Sequence, residues 1–171
     1  ARYRDIFGEA PRAHAAAGWQ TSAHALRLTQ RLGFGFASDT RGTHPFVPVW
    51  NGEVTLCPQL PVTLPALDEL LGQEGCDVGN VHERMLGLTA QAPATGHVFS
   101  LQADLALALQ PTVEKLLEGW PRQGYEIVSL GNLYESIDAS RLPRHELVRG
   151  TVEGRVGSLM LQGPEFPPTK P

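Results

Sequence analysis

The stretch that decides the fold is Gly35-Phe36-Ala37-Ser38-Asp39-Thr40-Arg41-Gly42, in which an apolar β-like segment runs straight into an acid, a base and a glycine. In parallel α/β folds, ligand sites form at the carboxyl ends of the strands. Asp39 and Arg41 therefore stand where a site would form. A strand followed by an Asp-capped turn, with Arg41 merely pairing with the acid, explains the same pattern, and geometry alone favours neither interpretation.

Helices alternate with short apolar strands on both sides of this stretch. The hydrophobic periods and the positions of Gly and Pro predict strands at 34–38, 53–56, 97–101 and 126–130, and helices at 22–32, 66–71, 77–88, 111–119 and 132–137. Pro45 and Pro48 are expected to keep 43–50 irregular, and the chain is expected to be irregular from Arg141. The alternation predicts an α/β fold with parallel strands at 34–38, 97–101 and 126–130 joined by right-handed crossovers, and with Asp39 and Gln102 at one sheet edge.

Length and composition limit the class of protein. The 171 residues, 42% of them hydrophobic, suit a single domain, which we place over 1–163 with a flexible tail over 164–171. A net charge of −4 with scattered bases argues against a nucleic-acid partner. Cys57 and Cys76 match neither a disulfide framework nor a metal-binding pair, which fits a reducing compartment. No apolar run is long enough to span a bilayer, so any membrane contact is expected to be peripheral.

Three motifs together resemble a known family. They are Ala15-Ala16-Ala17-Gly18-Trp19, then Ser38-Asp39-Thr40-Arg41-Gly42 with Pro45-Phe46, then Gln59-Leu60-Pro61-Val62-Thr63-Leu64-Pro65 with Asp68-Glu69. In order and spacing they resemble the polysaccharide deacetylase (NodB-homology) family, in the branch that deformylates a formamido-arabinose on undecaprenyl phosphate for lipid A modification. The likeness fits only the carboxyl-terminal part of such an enzyme. It implies the later strands of a distorted parallel (β/α) barrel, since a complete barrel takes about 250 residues.

The chemistry that this resemblance implies is metal-assisted hydrolysis of an amide on a sugar nitrogen. In the family a divalent ion, zinc or similar, is held by one Asp and two His, and these ligands and the base lie in motifs that would precede Ala1. A start inside a helix-like segment also suggests a piece of a longer protein. The histidines present show no recognisable pair; they are His14, His24, His44, His82, His97 and His145. We therefore expect this chain alone to bind no catalytic metal and to be inactive.

The resemblance also assigns candidate site residues. The catalytic candidates are Asp39 and Gln102, and the substrate-binding candidates are Gly18, Trp19, Arg41, His44 and Asp104. Gln102 stands where the family branch has a histidine acting as general acid, and a carboxamide cannot donate and recover a proton near neutral pH. Either the substitution is tolerated or the acid step is impaired. If residues 101–104 form the end of a strand, Gln102 and Asp104 lie on the same side of that strand and face either the site or solvent.

Two functions from different classes follow from these residues. The first is part of a carbohydrate de-N-acylase acting on a lipid-linked or free amino sugar, in the cytoplasm or at the inner face of a bacterial inner membrane. The second is a non-catalytic relative that binds a sugar or a lipid-linked phosphate, with Trp19 stacking on the sugar and Arg41 holding the anion. The sequence gives no indication of oligomeric state.

Overall fold

A computed structural model describes residues 2–93 and 95–167 of the chain. It contains helices α1 (Arg2–Phe7), α2 (Ala23–Arg31), α3 (Leu67–Leu71), α4 (Val81–Leu88), α5 (Ala103–Ala108), α6 (Gln110–Arg122) and α7 (Leu130–Glu135), and strands β1 (Ala13–His14), β2 (Phe36–Ala37), β3 (Val47–Trp50), β4 (Glu53–Val54), β5 (Arg144–Gly150) and β6 (Leu159–Glu165). The predicted α/β class is confirmed. Among these residues, no helix combines the length and the apolar character that crossing a bilayer requires.

The described residues form two compact units. The first contains 2–61, Leu130–Gly150 and 158–167, and the second contains Val62–Ser129 and Thr151–Gly157. The interpretation of 1–163 as a single domain stays a prediction.

The first unit contains a four-stranded mixed sheet in the order β4-β3-β5-β6. β3 is antiparallel to β4 and parallel to β5, and β5 is antiparallel to β6. Leu147 pairs with Gln162, but His145 pairs with Glu165, so a bulge interrupts the β5–β6 register. The buried side chains of Leu26, Phe46, Leu147 and Met160 form the core against this sheet.

A second, two-stranded sheet of this unit positions the stretch that ends in Asp39. β1 and β2 are parallel, with Ala13 opposite Phe36 and His14 opposite Ala37. Both β2 residues are buried, as the apolar segment predicts. The strand ends two residues before Asp39, so the predicted strand at 34–38 is confirmed in its central part.

Local signals for α2 and for the β3–β4 turn are confirmed. The Ser22 hydroxyl accepts a hydrogen bond of 3.3 Å from the Ala25 amide at the start of α2, as an N-cap does. Between β3 and β4, Asn51 and Gly52 have φ values of 51° and 79°. These left-handed conformations are those that an Asn-Gly hairpin turn requires.

The second unit is built from helices. Side chains from α3, α4 and α6 form its core, including Leu67, Leu70, Val81, Met85 and Leu116. Pro111 lies in the first turn of α6, where its missing N–H costs no helical hydrogen bond. The predicted helices at 66–71, 77–88 and 111–119 correspond to observed helices of this unit with shifted ends, and the one at 132–137 corresponds to α7 of the first unit.

Two predicted parallel strands are wrong. Residues 97–101 form no strand: the Val98 carbonyl accepts hydrogen bonds from Thr63 and Leu64, and Phe99 and Leu101 pack against the helical core. Residues 126–129 are irregular, and α7 begins at Leu130. The expected parallel arrangement of these segments with 34–38 is therefore also wrong. Apolar runs this short do not distinguish a strand from a segment packed on helices.

The prediction of irregular chain at 43–50 and beyond Arg141 is wrong as well. β3 includes Pro48, whose carbonyl still accepts a 2.9 Å hydrogen bond from Thr55 although the residue lacks an N–H. β5 and β6 occupy about half of the described chain beyond Arg141, and Pro164 and Glu165 of the predicted flexible tail belong to β6. Residues 168–171 of the predicted tail lie outside the described residues.

Candidate functional site

Asp39 is a fully buried carboxyl group held by three neighbours in the first unit. Its backbone N–H donates to Oε1 of Gln59 over 2.9 Å. Its Oδ1 accepts a 2.8 Å hydrogen bond from the Ala16 amide and lies 2.8 Å from Nδ1 of His14. Its Oδ2 is buried and has no hydrogen-bond partner within the described part of the chain. One edge of the carboxyl group is thus fixed and the other is unused.

Burial controls the electrostatics of this carboxyl group. Desolvation raises the pKa of Asp39 above 3.8, against the opposing effects of His14, the Ala16 amide and Gln59. A carboxyl group whose pKa is raised by burial changes its protonation state closer to neutral pH than an exposed carboxyl group does. This property is expected of a group that transfers protons. The interpretation of Asp39 as only the cap of a surface turn does not fit its complete burial.

His14 is the residue that sequence reasoning missed. No partner for this imidazole is apparent in the sequence, and in the structure it meets Asp39. An ionised Asp39 accepts the Nδ1 proton, which leaves the lone pair on Nε2 of a neutral ring. The side chain of His14 is 37% exposed, so this imidazole can exchange protons with solvent while Asp39 orients it. The parallel pairing of β1 with β2 creates this contact across 25 residues of sequence.

Gly18, Trp19 and Arg41 form a second group in the same unit. Gly18 and Trp19 both have positive φ, at 61° and 56°, in a tight 3₁₀ turn. The Arg41 guanidinium lies 4.7 Å from the centre of the Trp19 ring. Both side chains are buried, at 7% exposure for Trp19 and 9% for Arg41. Trp19 therefore packs on Arg41, and its burial does not fit the expected role of an open stacking platform for a sugar.

His44 lies in a hydrogen-bonded cluster of the first unit. Its Nε2 lies 3.2 Å from Nε2 of His145, and its Nδ1 lies 2.9 Å from the Thr43 hydroxyl. Burial, followed by the neighbouring His145, lowers the pKa of His44, and Glu165 partly offsets this. The expectation that the histidines show no pair is therefore wrong. The two histidines are 101 positions apart in the sequence, so their proximity is not apparent from it.

Gln102 and Asp104 lie in the second unit. Gln102 is the exposed residue that precedes α5, and Asp104 lies in the first turn of that helix. The expectation that they share one side of a strand is wrong, because two residues this far apart on a helix do not face each other. Asp104 is exposed, and its Oδ1 accepts a 2.9 Å hydrogen bond from the Leu105 amide.

The described residues do not form the metal site that the resemblance implies. Within 2–93 and 95–167, no three His, Cys, Asp or Glu side chains are grouped as a metal site would require. Near Asp39 the one imidazole in contact uses its Nδ1 on the carboxylate itself. The Asp-His-His set of the family is not formed by these residues, so we derive no reaction step through the ion.

Comparison with known proteins gives a consistent result. The protein described as "Probable 4-deoxy-4-formamido-L-arabinose-phosphoundecaprenol deformylase ArnD" of Shewanella sediminis (strain HAW-EB3) is 30% identical over 149 residues, which is 86% of this chain. This chain resembles ArnD. The ArnD protein of the same description from Wigglesworthia glossinidia brevipalpis is 24% identical over 150 residues, again 86% of the chain. No family model matches the chain.

The matches cover 47% of the Shewanella ArnD and 51% of the Wigglesworthia ArnD. The chain thus spans about half the length of the curated relatives that it matches. This coverage fits a correspondence with one part of ArnD, as the motifs predict. The resemblance drawn from the Gly18-Trp19 and Asp39-Thr40-Arg41 motifs is confirmed.

Proposed function

We propose that this chain is part of a C–N hydrolase that removes a formyl or acetyl group from a sugar nitrogen. The preferred substrate is a formamido-arabinose on undecaprenyl phosphate, as in the names of both ArnD relatives. The reaction adds water across the amide, so that formate leaves and the sugar keeps a free amine. The complete protein is proposed to need a divalent metal, zinc or similar, and to work in the cytoplasm or at the inner face of the inner membrane.

The observation that carries the proposal is the buried Asp39 carboxyl group in a chain that resembles ArnD. Its Oδ1 is fixed by His14 and the Ala16 amide, its Oδ2 is unused, and its pKa is raised by desolvation. A surface turn does not need such a group, whereas proton transfer does. Asp39 with His14 is thus proposed as a proton-handling pair, with Asp39 setting the tautomer of the imidazole.

The other site residues take supporting roles in this proposal. Trp19, in the tight turn that contains Gly18, packs on Arg41, whose charge would pair with the phosphate or another anionic part of the substrate. His44 and Asp104 would contact the substrate. Gln102 would donate a hydrogen bond to it, but it has no acidic proton to give. The fold of the complete protein would be the distorted (β/α) barrel, to which this chain contributes the carboxyl-terminal part.

A second candidate is a binding module for a sugar or a lipid-linked phosphate. Gln102 favours this candidate, because hydrolysis would need a proton donor at a position where this chain has a carboxamide. Arg41 also favours it, because stacking on Trp19 preorganises its charge for an anionic ligand. Binding needs Arg41 but not Asp39, whereas hydrolysis needs both. The two candidates therefore predict different behaviour of the same two variants.

The experiment uses the protein with the in-frame sequence that precedes Ala1 in its gene. Release of formate from a formamido sugar is measured with and without added divalent metal, alongside equilibrium binding of the same sugar. The hydrolase proposal expects turnover that Asp39→Asn reduces at least about a hundredfold with little change in binding. Binding without turnover, abolished by Arg41→Ala and unaffected by Asp39→Asn, would establish the binding module instead.

A further inference from the structure

The imidazoles of His44 and His145 form a pair to which the proposed hydrolase function assigns no joint role. Their Nε2 atoms are 3.2 Å apart, and the two rings meet edge to face with centroids 5.0 Å apart. Both side chains are half-buried. The parallel pairing of β3 with β5 holds His145 opposite Pro48, which brings it to the loop that carries His44.

The hydrogen bonds of His145 determine which of its nitrogens carries the proton. Its Nδ1 lies 2.8 Å from the carbonyl oxygen of Gly163. A carbonyl oxygen only accepts, so Nδ1 carries the hydrogen and donates it. A neutral imidazole has one N–H, and Nε2 of His145 therefore has a free lone pair directed out of the ring.

The tautomer of His44 follows from the orientation of the Gln162 amide. The backbone N–H of Thr43 donates to Oε1 of Gln162 over 2.8 Å, which turns the amide nitrogen of Gln162 towards His44. That nitrogen lies 3.0 Å from Nε2 of His44 and can only donate. Nε2 of His44 is therefore an acceptor. The ring proton is on Nδ1 and is donated to the Thr43 hydroxyl, 2.9 Å away.

Two nitrogen lone pairs thus approach each other without a hydrogen between them, an arrangement that a cation stabilises. In a tetrahedral zinc site with Zn–N bonds of 2.0–2.1 Å, two histidine nitrogens are about 3.3 Å apart. The observed 3.2 Å agrees with that spacing. Each ring also has its other nitrogen hydrogen-bonded, as ligating histidines do.

We propose that His44 and His145 bind one divalent transition-metal ion of the zinc class through their Nε2 atoms. The ion takes the place of the Gln162 amide hydrogen at His44. With two protein ligands found among the described residues, the other positions are open to water or an external ligand. Glu165, opposite His145 in the strand register, adds negative charge nearby. This proposal does not depend on the proposed amide hydrolysis, in which His44 alone is assigned a contact with the substrate.

The test uses the untagged chain and the metal alone. Binding of Zn²⁺ is measured by competition with a chromophoric chelator, and Co²⁺ reports the geometry through its visible absorption. We expect one equivalent per chain with a tetrahedral Co²⁺ spectrum. His44→Gln and His145→Gln should each weaken the affinity at least about tenfold, since loss of a partner that only orients a ligand already costs 10–100-fold. His24→Gln, on the exposed face of α2, is the matched control and should change nothing.

A second measurement avoids the risk that a variant misfolds. Long-range ¹H–¹⁵N spectra of the unmodified chain report the tautomers of both rings, which should be Nδ1–H, and Zn²⁺ should shift both Nε2 signals together. A spectrum showing one ring doubly protonated and unaffected by Zn²⁺ would mean that the rings share a proton, and this would overturn the proposal. Zn²⁺ binding that survives both substitutions would also overturn it.

Discussion

Nδ1 of His14 lies 2.8 Å from Oδ1 of Asp39. The imidazole of this pair is partly exposed, whereas the carboxyl group of Asp39 is completely buried. The chain thereby keeps a carboxyl group out of water while leaving Oδ2 without a hydrogen bond among the described residues. Such an arrangement lowers the stability of the fold, because a charge without full compensation is buried. The presence of such a group is easier to explain by a chemical role than by stability.

The first prediction follows from the sign of the Asp39 pKa shift. The pKa is raised by desolvation, so the folded protein holds this proton more tightly than the unfolded chain does. The contribution of Asp39 to the free energy of unfolding is therefore fully present below about pH 4 and is lost as the pH rises through the folded-state pKa. We expect Asp39→Asn to unfold at higher urea than the unmodified chain at pH 7, and the advantage to shrink towards pH 4.

Urea denaturation at several pH values measures this, with Asp104→Asn as the control for an exposed carboxylate. Asparagine keeps an oxygen for the Ala16 and His14 hydrogen bonds. A loss of stability in Asp39→Asn that grows with pH would show that the carboxylate is stabilised by its partners, contrary to the desolvation argument.

The second prediction concerns Gln102 in the upstream-extended protein. A general acid contributes roughly 10²- to 10⁴-fold in rate. If the proton is to be delivered at position 102, Gln102→His should raise formate release by one or more orders of magnitude with little effect on substrate affinity. An unchanged rate in Gln102→His, combined with loss of activity in Asp104→Asn, would assign the proton to Asp104. An unchanged rate combined with loss in His14→Gln would assign it to the His14–Asp39 pair.

The third prediction compares two glycines in the second unit. Gly154 and Gly157 have φ values of 78° and 89°, so alanine is strained at both, by about 1–2 kcal/mol. At Gly154 the added methyl group would also collide with the carbonyl oxygen of Glu69, whereas at Gly157 nothing lies within 4 Å. Gly154→Ala should therefore lower the free energy of unfolding by a further 1–3 kcal/mol or so. Thermal and urea denaturation of the two variants measures the difference, and equal losses would contradict the close contact.

The fourth prediction concerns Cys57. The side chain is 2% exposed, and desolvation raises the pKa of its thiol to about 11. Since the thiolate is the reactive form, iodoacetamide at pH 8 should leave Cys57 unmodified in the folded chain and alkylate it in urea. Peptide mass spectrometry after a timed reaction measures this. Modification of the folded chain as fast as in urea would show that the site opens readily.

Local chemistry allowed part of this structure to be predicted. The Ser22 cap, the Asn51-Gly52 turn and Pro111 in the first turn of α6 each depend on residues close in sequence, and all three are found. The strand that ends before Asp39 could also be predicted from neighbouring residues, because the short apolar segment and the acid that follows it are contiguous in the sequence. These features need no knowledge of the rest of the chain.

Contacts between distant segments could not be predicted in this way. Leu101 and Ile127 belong to similar apolar segments, yet one packs against the helices of the second unit and the other is 54% exposed. β5 carried little usable signal: Leu147 is buried between exposed Glu146 and exposed Val148, but Val148 is itself apolar, so the sequence does not alternate as a half-buried strand does. The pairings of His14 with Asp39 and of His44 with His145 depend on which strands become neighbours, and single positions do not encode that.

The bulge between β5 and β6 limits which insertions and deletions this part of the chain can accept. If the present chain paired one to one from Leu147 and Gln162 without a bulge, Pro164 would lie opposite His145. The bulge places Glu165 there instead. Deleting Gly163 would close the bulge with Glu165 still opposite His145, but it would remove the carbonyl oxygen that lies 2.8 Å from Nδ1 of that histidine. Relatives that are one residue shorter at this point should therefore keep the carboxylate and lose the contact that fixes the tautomer of His145.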